Sequence, residues 1–312
     1  MPSPFLGKSV STTLIVGSDG QDGRLMTELL AAKGLQCVGL NRTSCDIRDY
    51  NSVFAAIKKS KPNYLFYFAA HHTSATDELS IARNREYFDT NTIGLLNCLD
   101  AIKNVSVETR LFFTSSSLIF KPHPTERLHE RSPLALDDLY TISKHASMKL
   151  CDYYREKFGL HTTVGIMFNH ESHYRQSKFV SKKIVEYVVS VKQGKLGKLS
   201  LGDLGTTVDW GAAEDYMEAA HQLLLNNKTG DYVISSGVGH TLRNFCEVAF
   251  SYVGLDYSNY ISTDCANVLR VNHTRIGDNS KIRSSIGWAP KISFEELIKN
   301  MVDYQIREGL CK

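Results

Sequence analysis

Apolar residues recur along this chain in two periods. Thr13-Leu14-Ile15-Val16 is a short, nearly unbroken apolar run, and it ends in the polar, glycine-rich stretch Gly17-Ser18-Asp19-Gly20-Gln21-Asp22-Gly23. Leu25, Met26, Leu29 and Leu30 then return at helical spacing until Gly34 supplies a stop. The same alternation continues. Strands are expected at 37–40, 64–68, 110–114 and 162–167, separated by helices at 48–59, 81–103 and 138–158. Strand–helix alternation of this kind predicts an α/β fold built on a doubly wound parallel sheet. Beyond residue 170 the rhythm loosens. Helices are expected at 177–193, 212–227, 241–253 and 294–307, with short strands such as Tyr232-Val233-Ile234.

The first strand–turn–helix carries chemistry. Gly17, Gly20 and Gly23 stand at G-x-x-G-x-x-G spacing, with Gln21 and Asp22 between them. Such a turn lets a pyrophosphate approach the backbone at a helix N-terminus, where unpaired N–H groups and the dipole favour an anion. The turn therefore predicts a Rossmann-type dinucleotide-binding domain over residues 1–170. Residues 171–312 then form mainly a smaller substrate-binding lobe, with some segments crossing back. The second strand ends Gly39-Leu40-Asn41-Arg42, without the Asp or Glu that would hold the ribose hydroxyls of NAD. Arg42 offers a planar fork for a 2′-phosphate, which favours NADP, with NAD as the alternative. Asp46 is placed to touch the adenine or to cap a helix. Ala69, Ala70 and His71, at the end of the third strand, complete the expected cofactor contacts.

Tyr140 and Lys144 lie four apart on one face of the helix expected at 138–158. An ammonium beside a phenol favours phenolate, so this tyrosine can pass a proton to or from a hydroxyl. Ser115-Ser116-Ser117 stands upstream at a strand end, where a hydroxyl can orient a carbonyl beside the tyrosine.

With these residues the chain resembles the extended short-chain dehydrogenase/reductase family of nucleotide-sugar enzymes, and within it the GDP-mannose 4,6-dehydratase branch. The resemblance rests on the glycine turn, on Phe168-Asn169-His170-Glu171-Ser172, and on Asp209-Trp210-Gly211-Ala212-Ala213-Glu214-Asp215-Tyr216. It extends to Gly277-Asp278-Asn279-Ser280-Lys281 and Gly287-Trp288. It implies Ser116, Tyr140 and Lys144 as the catalytic set, Tyr140 and Lys144 also meeting the cofactor. It implies Ser117, Asn169, Lys183 and Arg270 as substrate contacts, Asn91 as a structural asparagine, and a homodimer or tetramer through the two long helices.

Two departures bear on the reaction. The branch carries a glutamate two residues after the catalytic Ser/Thr, as the acid and base of the elimination; here that position is Leu118. An isobutyl group moves no proton. Val208 stands where the branch has an arginine for the nucleotide, which leaves a GDP-linked substrate favoured but less firmly indicated. The expectation is an NADP(H)-dependent oxidoreductase acting at C4 of a nucleotide-linked sugar. A dehydratase with a substituted base, a 4-epimerase and a non-catalytic cofactor-binding protein are the alternatives.

Composition narrows the partners. A net charge of +3 with no basic block argues against nucleic acid. No apolar stretch reaches the ~18 residues of a membrane span. Seven scattered cysteines without C-x-x-C spacing read as free thiols in a reducing cytosol, and no His/Asp/Glu cluster has metal-ligand spacing.

Overall fold

The computed structural model describes residues 12–72, 81–194, 197–263 and 274–310. The first half runs β1 (Thr13–Val16), α1 (Gln21–Ala32), β2 (Cys37–Leu40), α2 (Tyr50–Ser60), β3 (Tyr64–Tyr67), α3 (Ile81–Phe88), α4 (Gly94–Val105), β4 (Arg110–Ser116), α5 (Leu139–Phe158) and β5 (Thr162–Met167). The second half adds β6 (Asn169–Glu171), α6 (Val180–Lys192), β7 (Leu199–Leu201), β8 (Thr207–Ala212), α7 (Ala213–Leu225), β9 (Gly230–Ile234) and β10 (Gly239–Thr241). It ends with α8 (Leu242–Tyr252), β11 (Ile261–Thr263), α9 (Ser280–Ile286) and α10 (Phe294–Leu310).

The main sheet has the order β2-β1-β3-β4-β5-β9, and every neighbouring pair is parallel. Its strands are apolar on both faces because both are covered. Leu14, Val16, Leu65, Tyr67, Leu111 and Phe113 face α2, α4 and α5. Ile15, Phe66, Phe112 and Ile234 face α1, α7 and α9. The fold is thus the expected doubly wound, Rossmann-type α/β architecture. The chain reverses direction between β1 and β3, so the glycine turn after β1 lies at the topological switch point, where such sheets bind ligands.

The C-terminal half returns to this sheet through β9, α7 and α9. A separate core gathers α6, α8 and α10 around Trp210, Phe245 and Phe294. Between the two cores lies a small sheet, β10-β8-β6, in which Asn169 pairs with Trp210. Asp209 of β8 pins this region. Its buried carboxylate accepts from the amides of Ser236, Gly237 and Gly277, at 3.0–3.1 Å, and from Ser236 Oγ. Asp215 does the same for the loop before α10, accepting from Lys291 N and Ile292 N at 2.8 and 2.9 Å.

The single helix expected over 81–103 is interrupted by a π turn at Asp89–Ile93. The extra residue carries Asn91, fully buried, whose amide links the β3 end to α5. Its Oδ1 accepts from His71 N at 2.9 Å, and its Nδ2 donates to Ser143 Oγ at 3.0 Å. Such single-turn bulges recur at functional sites. Among the described residues no helix is long and apolar enough to cross a membrane, and no group of three or more His, Cys, Asp and Glu side chains is arranged to hold a metal ion.

Candidate active site

A cleft of about 530 Å³ opens along the C-terminal ends of β1, β3, β4 and β5. The glycine turn forms one end. Gly17 has φ +88°, and a Cβ there would lie 2.6 Å from Ala69 N. A Cβ at Gly23 would run into Gly17 O and the Ser18 backbone. Gly20 differs: a Cβ on it would meet only Gly17 O, at 3.4 Å. Protein packing therefore accounts for two of the glycines, and the third keeps the cleft side of the turn clear. Gly20 is also the N-cap of α1, and no side chain caps that helix. An uncapped helix N-terminus facing a cleft suits a pyrophosphate.

At the other end Tyr140 enters on the first turn of α5. Asp138 and Thr141 start that helix with a reciprocal capping box, Thr141 N donating to Asp138 Oδ1 at 2.7 Å. Tyr140 is 3% exposed, and its ring centroid is 4.8 Å from that of His72 and 6.3 Å from that of Tyr87. One turn on, Lys144 is buried, and its Nζ donates to Thr114 O at 2.8 Å. Burial pushes the Lys144 amine down to about 7, against a smaller upward pull from the Asp22 carboxylate. Ser116, at the end of β4, accepts from Leu118 N at 3.2 Å, and Ser116, Ser117 and Leu118 all line the cleft.

Among the expected cofactor residues, the three turn glycines, Gln21, Asp22, Arg42, Ala70 and His71 line the cleft, together with Tyr140 and Lys144. Ala69 does not; its backbone backs Gly17. Asp46 does not either. Arg48 holds its carboxylate through two bonds of 2.8 Å and keeps its pKa down at about 2. Of the expected substrate contacts, Ser117 and Asn169 line the cleft. Lys183 lies outside it, because the turn before α6, and not the helix itself, reaches the opening. Arg270 falls outside the described residues.

Several residues gain a place that sequence spacing does not suggest. Gln21 and Asp22 tie the glycine turn to β6. Gln21 Nε2 donates to His170 O at 3.1 Å and Gln21 Oε1 accepts from Ser172 Oγ at 2.9 Å. His170 is bonded through both ring nitrogens, to Phe168 O at 2.8 Å and to Asp22 Oδ1 at 3.1 Å. Both partners are acceptors, so the imidazole is held as a cation. Burial lowers the His170 pKa, but the charge and hydrogen bond of Asp22 outweigh it and the net shift is upward. Burial likewise raises Asp22, and His170 reverses it to a net lowering. Glu171 is not paired with His170; it is buried and binds Ser181 Oγ at 2.7 Å and Arg175 Nε at 3.0 Å.

Arg42, Lys144, Arg175, Lys178 and Arg275 bring five basic side chains to the cleft, and Asp22 is the one carboxylate among the described lining residues. Such a charge balance suits a polyanionic ligand. The β2 end also differs from the sequence expectation. A carboxylate is present there, supplied by the glycine turn: Asp19 Oδ1 accepts from Asn41 Nδ2 at 3.3 Å, beside Arg42.

The family profile described as GDP-mannose 4,6 dehydratase matches residues 41–301. The chain belongs to that family. GDP-mannose 4,6 dehydratase 2 of Arabidopsis thaliana is 32% identical over 329 residues, covering 93% of this chain and 85% of the plant protein. Among solved structures, RMD from Pseudomonas aeruginosa, complexed with NADPH, superposes with a TM-score of 0.85 at 20% identity, covering 96% of this chain and 99% of that one. UDP-glucose 4-epimerase from Thermus thermophilus, complexed with NAD, gives 0.81 at 23% identity, covering 94% and 98%. These two likenesses establish the fold. Family membership makes this chain an enzyme of the extended short-chain dehydrogenase/reductase class.

Proposed function

We propose that this enzyme is an NADP(H)-dependent oxidoreductase that acts at C4 of a nucleotide-linked sugar, with residues 171–312 mainly holding the sugar nucleotide. The observation that carries the reading is the cleft itself. It joins Ser116, Tyr140 and Lys144 to a dinucleotide-type turn. It places Leu118, not a carboxylate, beside them, and its one described acid is occupied by His170. Those groups serve hydride and proton transfer at one carbon. Among the described lining residues they leave no carboxylate, apart from the Asp22 paired with His170, for removing a C5 proton and expelling a C6 hydroxyl.

The nicotinamide, when bound, supplies or takes the hydride. Ser116 would hold the sugar oxygen by hydrogen bond, and Tyr140 would give it a proton in reduction or take one in oxidation. Lys144 would favour the phenolate through its charge. The basic side chains on the cleft walls would hold the diphosphate, and the family name supports GDP as the carrier. The deciding experiment supplies NADPH and a 4-keto-6-deoxy nucleotide sugar. Loss of NADPH absorbance with a C4 alcohol as product is expected. Release of a 4-keto product from GDP-mannose without net cofactor use overturns the proposal.

The missing base gives a second test. Leu118→Glu restores a carboxylate two residues past Ser116 and is expected to give detectable 4-keto-6-deoxy product from GDP-mannose, where the unaltered enzyme gives none. Mass spectrometry of the sugar reports it directly. A carboxylate that ionises there and yields no elimination product shows that more than this side chain separates the two reactions.

At the adenosine end Arg42, in the cleft lining, favours the 2′-phosphate of NADP; Asp19 lies outside that lining, but its carboxylate accepts from Asn41 at the β2 end, and it is the acid we assign to the ribose hydroxyls of NAD. Asp19→Asn removes the charge and keeps the hydrogen bonding, so it should shift preference toward NADPH over NADH by on the order of tenfold. Fluorescence titration of both dinucleotides measures this without turnover. An unchanged ratio removes Asp19 from the cofactor site. We also assign self-association to the α4 and α5 faces, where Ile142 and Tyr153 are exposed while Tyr154 is buried and bonds Asp100 at 2.6 Å. The free thiols of Cys45, Cys98, Cys151 and Cys246, all buried, suit a reducing cytosol.

A further inference from the structure

Tyr140 has to give up a proton in each reduction and recover one before the next, yet it is only 3% exposed. Lys144, its neighbour on α5, supplies charge but no passage to solvent. It is buried, its Nζ is tied to Thr114 O at 2.8 Å, and that nitrogen lies 5.9 Å from the centre of the Tyr140 ring. A second titratable side chain packs against the phenol ring from a different element. It is His72, just past the end of β3, half-buried and in the cleft lining with Tyr140.

The fold fixes where this imidazole stands. The two histidines that leave β3 diverge. The His71 side chain turns to α3, where its Nδ1 is 3.1 Å from Glu86 and its ring meets Tyr87 edge-on. The His72 side chain turns into the cleft and packs on Tyr140 and Phe179, with ring centroids 4.8 and 5.3 Å away. The backbone between them is held from both sides. The Asn91 amide accepts from His71 N at 2.9 Å and donates to His71 O at 3.3 Å, and Lys178 Nζ donates to His72 O at 3.4 Å. The π turn that carries Asn91 therefore also sets the segment that brings an imidazole against the phenol.

We propose that His72 is the group through which Tyr140 regains its proton, the imidazolium returning it to the phenolate directly or across one water. The proposal rests on the C4 oxidoreductase reading and deepens it by naming the route of the proton. Imidazole exchanges protons with water near neutral pH, which suits it to the task. The step balances. Once C4 has received hydride and its oxygen the Tyr140 proton, the phenol is left as phenolate. An N–H bond of His72 then breaks, the O–H bond of Tyr140 re-forms, and the neutral imidazole takes a proton from solvent. No electrons are exchanged in this second step, and no further reactant is needed. His72 acts through Tyr140, so it matters to every turnover except the first.

The test compares one turnover with many, using NADPH and a GDP-linked 4-keto-6-deoxyhexose. His72→Phe keeps an aromatic ring against Tyr140 and removes the exchangeable proton. In a single turnover, which starts with Tyr140 protonated, hydride transfer should stay within about threefold of the unaltered enzyme, while kcat falls by roughly ten- to a hundredfold. A burst of NADPH oxidation then precedes a slow steady state. His72→Ala leaves room for a free ring, and added imidazole should raise its kcat by about tenfold. Fluorescence titration should find NADPH affinity unchanged in both variants. A kcat in His72→Phe within about threefold of the unaltered enzyme overturns the proposal. A first turnover slowed as much as the steady state, or a His72→Ala variant that imidazole does not rescue, also overturns it, because the ring then only positions Tyr140. If the unaltered enzyme oxidises no NADPH with this substrate, the oxidoreductase reading fails first and the proposal falls with it.

Discussion

Tyr140→Phe is expected to fold normally, bind dinucleotide as before, and lose about a thousandfold in kcat, within the range of a single acid–base group. The start of α5 is secured by Asp138 and Thr141, and the ring of residue 140 packs against His72 and Tyr87 through its faces and edges. A phenylalanine keeps those ring contacts and removes one oxygen. What is lost is the proton donor beside Ser116 and Lys144. Stopped-flow measurement of the hydride step, with cofactor affinity measured in parallel, separates chemistry from binding. A variant that keeps kcat within tenfold of the unaltered enzyme takes Tyr140 out of the reaction.

The sheet-forming half of the chain is legible because its signals are local. Unbroken apolar runs such as Leu111-Phe112-Phe113 mark strands covered on both faces, and Leu25, Met26 and Leu30 do face the core from α1. The glycine turn is legible for the same reason, since strand, turn and helix are contiguous. β6, β7, β10 and β11 are three residues each, too short for any period to register. The π turn at Asp89–Ile93 is invisible for a different reason. Asn91 within it is bonded to Ser143, 52 positions away, a contact no local pattern announces.

The candidate site divides along the same line. Tyr140 and Lys144 share a helix face, so spacing alone joins them. Asp22 with His170, and Val208 with Arg275, are joined only by tertiary pairing. Asp19 shows how a rule about position can miss a rule about chemistry. An acid is sought at the end of β2, and the fold delivers one from the turn beside it. Lys183 shows the converse, a residue in the right segment that helix geometry keeps out of the cleft.

Lys144→Met carries the second large effect, and its sign follows from burial. The folded amine titrates near 7, well below the 10.5 of an exposed lysine. Above about pH 10.5 the amine is neutral whether the chain is folded or not. Between there and 7 the unfolded chain binds more protons, so the stability contributed by the neutral amine is lost as pH falls through that window and is gone below it. The free protein should therefore gain stability as pH rises from 7 toward 10, and Lys144→Met should flatten that slope. An anionic dinucleotide entering the same cleft favours the ammonium, so binding at pH 8 should take up a fraction of a proton. Calorimetry in two buffers of different ionisation enthalpy counts it. Lys144→Met should abolish the uptake and lower kcat by on the order of a hundredfold, because a neutral side chain no longer favours the phenolate of Tyr140. Proton uptake that survives the substitution places the titrating group elsewhere, and the paired His170, whose own protonation answers to Asp22, is then the group to alter next.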